Sequence, residues 1–322
     1  MKNKIIIVVS GEPKSIFLEI FFKALKYKTY KSPILLISSL KLLKNQMRKF
    51  KFKKKINIIN YKNFKENDLD KKSINLININ LNLNLLKSKD ISKKYNSFIK
   101  KCFNVGFYLL KQKKTYKFIN GPISKKHFLD KKFPGMTEYI SDSFKINKSV
   151  MLIYNKNLSV CPITTHIPIK NVTKKISQNK IFEKVRLVDQ FYKKYLRKKP
   201  KIAVLGLNPH CESIHAFNED DKIIKPAIKL LTKKGIKLFG PFSADTMFLK
   251  KNRKKFDVII GMYHDQVLTP IKTLYEYDAI NITLGLPFLR ISPDHGPNLK
   301  MIGKNKSNPL SLIRALNFLD KN

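Results

Sequence analysis

Three of the six histidines in the chain occupy the same kind of place. LSVCPITTH ends at His166, KIAVLGLNPH at His210 and FDVIIGMYH at His264. Each is a short apolar run followed by a polar turn that carries one imidazole. In an open α/β sheet the carboxyl ends of strands line the ligand crevice, so turns of this kind share one edge. The three lie roughly 45–55 residues apart, enough for the ~30 residues of a βαβ repeat between one and the next. Three neutral imidazoles with an open position make a catalytic metal site, suited to Zn²⁺ and also to Co²⁺ or Ni²⁺. An ion held that way acts as a Lewis acid on a substrate oxygen. Asp265, beside His264, and Asp245, in GPFSADTMF, are candidates to orient imidazoles or to move protons. The spacing alone fits three independent loop histidines, each capping backbone groups, equally well.

The block KTLYEYDAINITLGLPFLRISPDHGP, residues 272–297, adds anion recognition. Lys272, Asn281 and Arg290 sit around the strand-like AINITLG. The guanidinium of Arg290 is a rigid fork for a carboxylate or phosphate, and Lys272 is a point charge. With 66 basic residues in the chain, a single lysine carries little information. Arginine is scarce, so Arg290 carries more. Asp294, His295 and Gly296 form a tight polar turn.

Such residues need elements to hold them. KIIIVV (4–9), PILLISS (33–39) and YKFIN (116–120) are short apolar, β-branched runs and predict buried strands. Further strands are expected near 149–154, 158–163, 201–206 and 256–263. Helical spacing marks SIFLEIFFKALKY (15–27) and residues 91–112, with more helices near 180–196, 222–234 and 309–320. Alternation of this kind predicts α/β layers with a largely parallel sheet. Residues 56–86 are a low-complexity Asn/Ile/Leu stretch to which no element is assigned. Only Gly11, Pro13, Pro33 and Gly106 among the glycines and prolines fall in the first 115 residues, so turn chemistry gathers where the motifs are. No GxGxxG occurs, and a Rossmann-type dinucleotide site is unsupported. A length of 322 residues suggests two domains, or one large α/β unit.

Composition narrows the classes. At 43% hydrophobic residues the chain has enough apolar surface for a real core. Its formal net charge is +44, an excess that ordinarily points to nucleic acid or an anionic membrane. Here the charge is almost all lysine, spread along the chain with abundant Asn and Ile, as a biased, AT-rich coding background produces. No arginine block, aromatic RNA motif or zinc-finger spacing occurs, so no specific nucleic-acid partner is expected, only adventitious binding at low salt. The cysteines, Cys102, Cys161 and Cys211, are odd in number and lack CxxC spacing, which fits a reducing compartment. The apolar run in MKNKIIIVVSGEP is too short for a signal peptide, and no run approaches the ~20 apolar residues of a membrane span. A soluble, cytoplasmic protein is expected.

Taken together, NGPISK…FPGMTEY, TTHIPI, LNPH, GPFSADTMF, MYHDQVLTPIK and NITLGLPFLRISPDHG resemble the 4-hydroxythreonine-4-phosphate dehydrogenase family of pyridoxal phosphate biosynthesis. These motifs span about 118–304, and SGEP at 10–13 extends the likeness toward the N-terminus. The resemblance implies an α/β, isocitrate/isopropylmalate dehydrogenase-like fold, with two α/β/α domains around a cleft. One domain would comprise 1–125 plus 296–322, and 126–295 would carry most metal and substrate residues. It implies a homodimer with the active site near the interface, NAD or NADP as cofactor, and one divalent metal per site (Zn, Mg or Co). By that match His166, His210 and His264 are the metal ligands. Met136, Thr137, Lys272, Asn281 and Arg290 fall at substrate-contacting positions, and Asp245, Asp265 and Lys272 are the candidates for proton transfer. HGPNLKMIGKNKSNP, at 295–309, resembles the loop that holds the cofactor's adenosine, which nominates His295, Gly296 and Asn298. The implied reaction oxidises a secondary hydroxyl β to a carboxylate, and the resulting 3-oxo acid loses CO₂ to give 3-amino-2-oxopropyl phosphate.

The chain departs from the family pattern in places. GMTE stands where the family has GHTE, so Met136 replaces a histidine and donates no hydrogen bond. SGEPKSIFLE replaces a glycine-rich GDPAGIGPE, LNPHCES an LNPHAGE-like run, and Pro297 follows Gly296 where the family has threonine. Met136 keeps open a related dehydrogenase acting on threonate or erythronate 4-phosphate. A non-catalytic metal- or nucleotide-binding relic is the other alternative.

Overall fold

The structure is a computed structural model that describes residues 5–83, 95–124, 133, 135–213, 217–293 and 296–322. Its strands, in chain order, are β1 Ile6–Val9, β2 Ile34–Ser38, β3 Ile56–Ile58, β4 Ile74–Asn78, β5 Lys117–Asn120, β6 Val150–Tyr154, β7 Ser159–Pro162, β8 Ile202–Leu205, β9 Leu238–Phe242, β10 Val258–Gly261, β11 Ile280–Leu284 and β12 Leu289–Pro293. The chain divides into two compact units, Met1–Met136 with Pro287–Asn322, and Thr137–Leu286.

In the first unit the strands run in the order β3-β4-β2-β1-β5-β12, every neighbouring pair parallel. β1 is buried along its whole length, as a continuous β-branched run between helix-covered faces must be. Its register against β5 pairs Val9 with Asn120, so the loops that follow, SGEP and GPIS, leave the sheet side by side. Their backbones touch. Glu12 N–H donates to Pro122 O at 3.0 Å, and the Glu12 carboxylate accepts from Ser124 N at 2.8 Å. A Cβ on Gly121 would lie 2.3 Å from Ser10 O, so only glycine lets the two loops approach this closely.

The low-complexity stretch holds two strands, β3 and β4. Asn75, fully buried in β4, donates to Ile34 O and Asp70 O and accepts from Asp70 N and Asn57 Nδ2, at 2.8–3.2 Å. An asparagine is tolerated inside this sheet because all of its hydrogen bonds are made. The C-terminal helix Leu310–Lys321 is tied to the segment before β2 through Asp320, which accepts from Ser32 N at 2.7 Å.

In the second unit the order is β11-β6-β7-β10-β8-β9. β6 runs antiparallel to both neighbours, and β7, β10, β8 and β9 are parallel. The helix Gln178–Tyr195 starts at Ser177, whose hydroxyl accepts from Lys180 N. The helix His264–Tyr275 packs Val267 and Ile271, one turn apart, into a core with Met151, Val160, Leu205 and Ile259. His264 opens this helix directly after Tyr263, instead of sitting in a polar turn. Burial of the i, i+4 pair outweighs the interior Pro270. The three cysteines are free and buried. No described helix is long and apolar enough to cross a membrane.

Candidate active site

β7 and β10 run parallel with Pro162 opposite Gly261, and the pairing continues past the strands. Ile163 N donates to Gly261 O at 2.8 Å, and Thr164 donates to Met262 O from both its backbone N and its hydroxyl. This register delivers His166 and His264 to one edge, with ring centroids 5.6 Å apart. His264 Nδ1 lies 2.6 Å from Asp265 Oδ1, which leaves Nε2 as the nitrogen available to a ligand. His166 and His210 both hold left-handed backbone, φ 51° and 54°, and Cys211 follows at φ 63°. Non-glycine residues in that region cost about 1–3 kcal/mol each and cluster at functional sites.

The loop after β8 carries His210 and is built by residues that sequence reasoning did not single out. Gln266 donates from Nε2 to Gly206 O at 2.8 Å and accepts from Met262 N at 2.6 Å. One amide thus clasps the start of the His210 loop to the start of the His264 segment. Asp220, with no exposed surface, accepts from Leu207 N (2.8 Å), Asn208 N (3.1 Å) and Asn208 Nδ2 (3.0 Å). It leads a π-helical turn, Asp220–Ile224. Burial pushes the neighbouring Cys211 thiol's pKa up, and the Asp220 charge adds to the shift. His210 itself is exposed, 3.5 Å from Ser243 Oγ at its Nδ1. Asp245 is exposed two residues beyond Ser243. Among the described residues no three His, Cys, Asp or Glu side chains gather closely enough to hold a metal ion. Two of the three imidazoles named from the sequence form a pair, and the third stands on a loop clasped to the same segment. The donor set suits a borderline divalent cation: neutral imidazoles, one oriented by a carboxylate.

Thr137 is buried on the helix Met136–Ser143, its hydroxyl 3.4 Å from that of Thr283. Thr283 and Asn281 are two apart on β11 and so share a face. Asn281 Oδ1 and, one turn along from Thr137, Ser141 Oγ are buried without a hydrogen-bond partner. A buried oxygen without a partner calls for one, and a polar group of a bound ligand would supply it. Lys272 is half-buried in the last turn of the helix His264–Tyr275.

In the first unit Arg290, 2% exposed on β12, donates from Nε to Asn120 Oδ1 on β5 at 2.8 Å. Asn120 thus fixes the guanidinium's orientation. Met136 is half-buried. Gly296 and Asn298 are exposed, Asn298 with φ 49°. Their segment is anchored on the helix Phe17–Tyr27. Pro297 O accepts from Ile16 N, Glu19 accepts from Ser307 N at 2.7 Å, and Lys23 reaches the carbonyls of Asn305 and Ser307. His295 lies outside the described residues.

Comparison with known proteins agrees across the chain. A family model described as pyridoxal phosphate biosynthetic protein PdxA matches residues 30–319. A 4-hydroxythreonine-4-phosphate dehydrogenase from Sulfurihydrogenibium sp. (strain YO3AOP1) is 38% identical over 96% of this chain and 95% of its own. The crystal structure of a protein of that name from Klebsiella pneumoniae superposes with TM-score 0.84 at 26% identity, covering 99% of both chains. An isocitrate dehydrogenase from Methylococcus capsulatus, at TM-score 0.53 and 8% identity over 97% of this chain and 83% of its own, shares the fold.

Proposed function

The chain belongs to the family of the pyridoxal phosphate biosynthetic protein PdxA, and on that premise we propose that it oxidises the secondary hydroxyl of 4-hydroxythreonine 4-phosphate, a step of pyridoxal phosphate synthesis in the cytoplasm. The observation that carries this reading is the His166–His264 pair, with His264 oriented by Asp265. His166, His210 and His264 would hold a divalent cation, with zinc, cobalt and magnesium as candidates. When bound, the cation lowers the pKa of a hydroxyl group, and a nicotinamide dinucleotide, NAD or NADP, takes up the hydride.

The chain's own residues do the rest. Arg290, aimed by Asn120, offers a fork to an anionic group of the substrate, and Lys272 a second cation. Thr137, Thr283 and Asn281 form a polar wall that replaces water around the substrate's hydroxyl and amino groups. Asp245 or Asp265, or Lys272 in its neutral form, would receive the hydroxyl proton. The resulting 3-oxo acid loses CO₂, leaving 3-amino-2-oxopropyl phosphate. The segment 295–309, with His295, Gly296 and Asn298, would face the cofactor's adenosine. His210 stands exposed on its loop, which suits a metal site completed by a second copy of the chain, as a homodimer provides.

The test is reduction of the nicotinamide cofactor by 4-hydroxythreonine 4-phosphate, with and without chelator. Turnover should require metal, and His210→Ala should abolish both metal binding and turnover. Metal retention with no turnover would indicate a binding relic instead. Met136, where a histidine donor stands in the family, favours one further assay: turnover of threonate or erythronate 4-phosphate in place of the amino acid would reassign the substrate while keeping the chemistry.

A further inference from the structure

A cleft of about 270 Å³ opens in the second unit between the helix Gln178–Tyr195 and the segments flanking β6 and β7. Thr164 and Thr165 line it just past the carboxyl end of β7. Ser149 lines it just ahead of β6, which begins opposite the end of β11, Val150 against Leu284. The cleft therefore sits at the carboxyl edge of the strands, where open α/β sheets take their ligands.

Its lining is predominantly cationic. Lys148 is neutralised by Glu183 at 2.6 Å, and no other carboxylate lines the cleft. Lys175, Lys180 and Lys184 remain. Lys180 Nζ donates to Lys175 O at 2.9 Å and Lys184 Nζ to Pro162 O at 3.2 Å, so each ammonium spends one of its three donors on a carbonyl. Lysines cover this protein's surface, but Lys184 is not one of those. It is half-buried, and burial lowers its pKa against the opposing pull of Cys161 and Glu138, with Lys180 adding to the lowering. Burial disfavours the Lys184 charge and Lys180 adds to that cost, which an anion in the cleft would offset. The hydroxyls of Ser149 and Thr165 add neutral donors of the kind that complete an oxyanion's shell.

We propose that this cleft binds a small dianion of the phosphate class, held by Lys180 and Lys184 and by the hydroxyls of Ser149 and Thr165. None of the residues assigned to metal, substrate or cofactor takes part, so the proposal stands apart from the dehydrogenase reading.

Inorganic phosphate is titrated calorimetrically into the full chain near physiological ionic strength, where diffuse attraction is screened. Saturable binding is expected, weakened at least about tenfold by Lys184→Met and by Lys180→Met, each of which removes a charge-assisted contact. Lys233→Met, which removes the same charge from an exposed helix end in the same unit, should leave it unchanged. Circular dichroism checks the fold of each variant. If Lys184→Met does not fold, Lys180→Met and Thr165→Val decide. Competition by O-phosphoserine would identify the ligand as a phosphorylated metabolite, and its failure to compete would identify the free anion. Absence of saturation at tens of millimolar phosphate would overturn the proposal. So would equal weakening by Lys233→Met. Both readouts are binding, so loss of turnover for other reasons does not bear on them.

Discussion

Asp265 and Gln266 follow His264 directly and divide the work of placing it. Asp265 holds Nδ1 in its protonated form, which keeps the lone pair on Nε2. In Asp265→Asn the amide can present a donor to Nδ1 instead, favouring the tautomer whose Nε2 is protonated and does not ligate. Metal affinity should fall about tenfold or more, the usual cost of losing an outer partner of a ligand. Gln266 acts through the backbone. Gln266→Leu should lower metal affinity to a similar degree by releasing Gly206 and Met262, whereas Gln266→Glu, which keeps the acceptor for Met262 N, should lose less. Metal titration of the three variants checks both claims, and wild-type affinity in Gln266→Leu would remove the clasp. The imidazoles were legible in the sequence because each ends an apolar run. Gln266, Asp220, Thr283 and Asn120 were not, since their partners arise only when β8, β10, β11 and β5 take their places beside their neighbours. Cys161, near the end of β7, is fully buried. Burial pushes its thiol from 9.0 up to about 11, against the pull of Lys184. The unfolded chain ionises this thiol from about pH 9 upward while the folded chain does not. Its share of stability is therefore whole below pH 9 and is lost progressively toward pH 11, at up to ~1.4 kcal/mol per pH unit. Lys184, lowered by burial, works the opposite way, so the measured quantity is the difference between wild type and Cys161→Ala. Urea midpoints of the two should converge as pH rises from 8.5 to 10.5, within the window bounded by 9.0 and about 11.

At the scale of elements, the short continuous apolar runs were legible: β1, β2, β5, β6, β7, β8 and β10 fall where β-branched segments predict them. β3 and β4 were not, because their asparagines read as polar low complexity, and only the bracket around Asn75 shows how a buried amide is satisfied. The same contrast separates two glycines. Gly121 sits where the loops after β1 and β5 touch, and Gly121→Ala would drive a methyl group to within 2.3 Å of Ser10 O. Backbone cannot yield as a side-chain tip does, so about 1–3 kcal/mol of stability should be lost. At Gly296 an added methyl group would meet nothing within 4 Å, so Gly296→Ala should change stability by less than about 0.5 kcal/mol. Denaturant midpoints of the pair test whether the meeting of these loops, and not glycine content as such, limits the first unit.

At the scale of the whole molecule, the 66 basic residues face 22 acidic ones. Even with every carboxylate in an ion pair, most cations would have no anionic partner, and pairs that the fold does form, such as Lys193–Asp189 and Lys198–Asp257, are partly exposed and of small individual worth. A net charge of +44 therefore acts on the compact state mainly as self-repulsion. Salt screens repulsion between charges separated by more than about 10 Å at 0.1 M, and the unfolded chain, being expanded, gains less from that screening. Thermal stability should accordingly rise with sodium chloride from low to moderate concentration, by at least about 2 °C, the shift that ~1 kcal/mol makes in a chain of this size. Adventitious RNA binding should fall over the same range, because counterion release makes it steeply salt-dependent. The two trends belong together if the charge is a solvated coat over an enzyme fold. RNA binding that persisted at moderate salt, with a melting temperature indifferent to sodium chloride, would mean that the cations are organised for nucleic acid, a purpose the parallel sheets and the paired imidazoles do not serve.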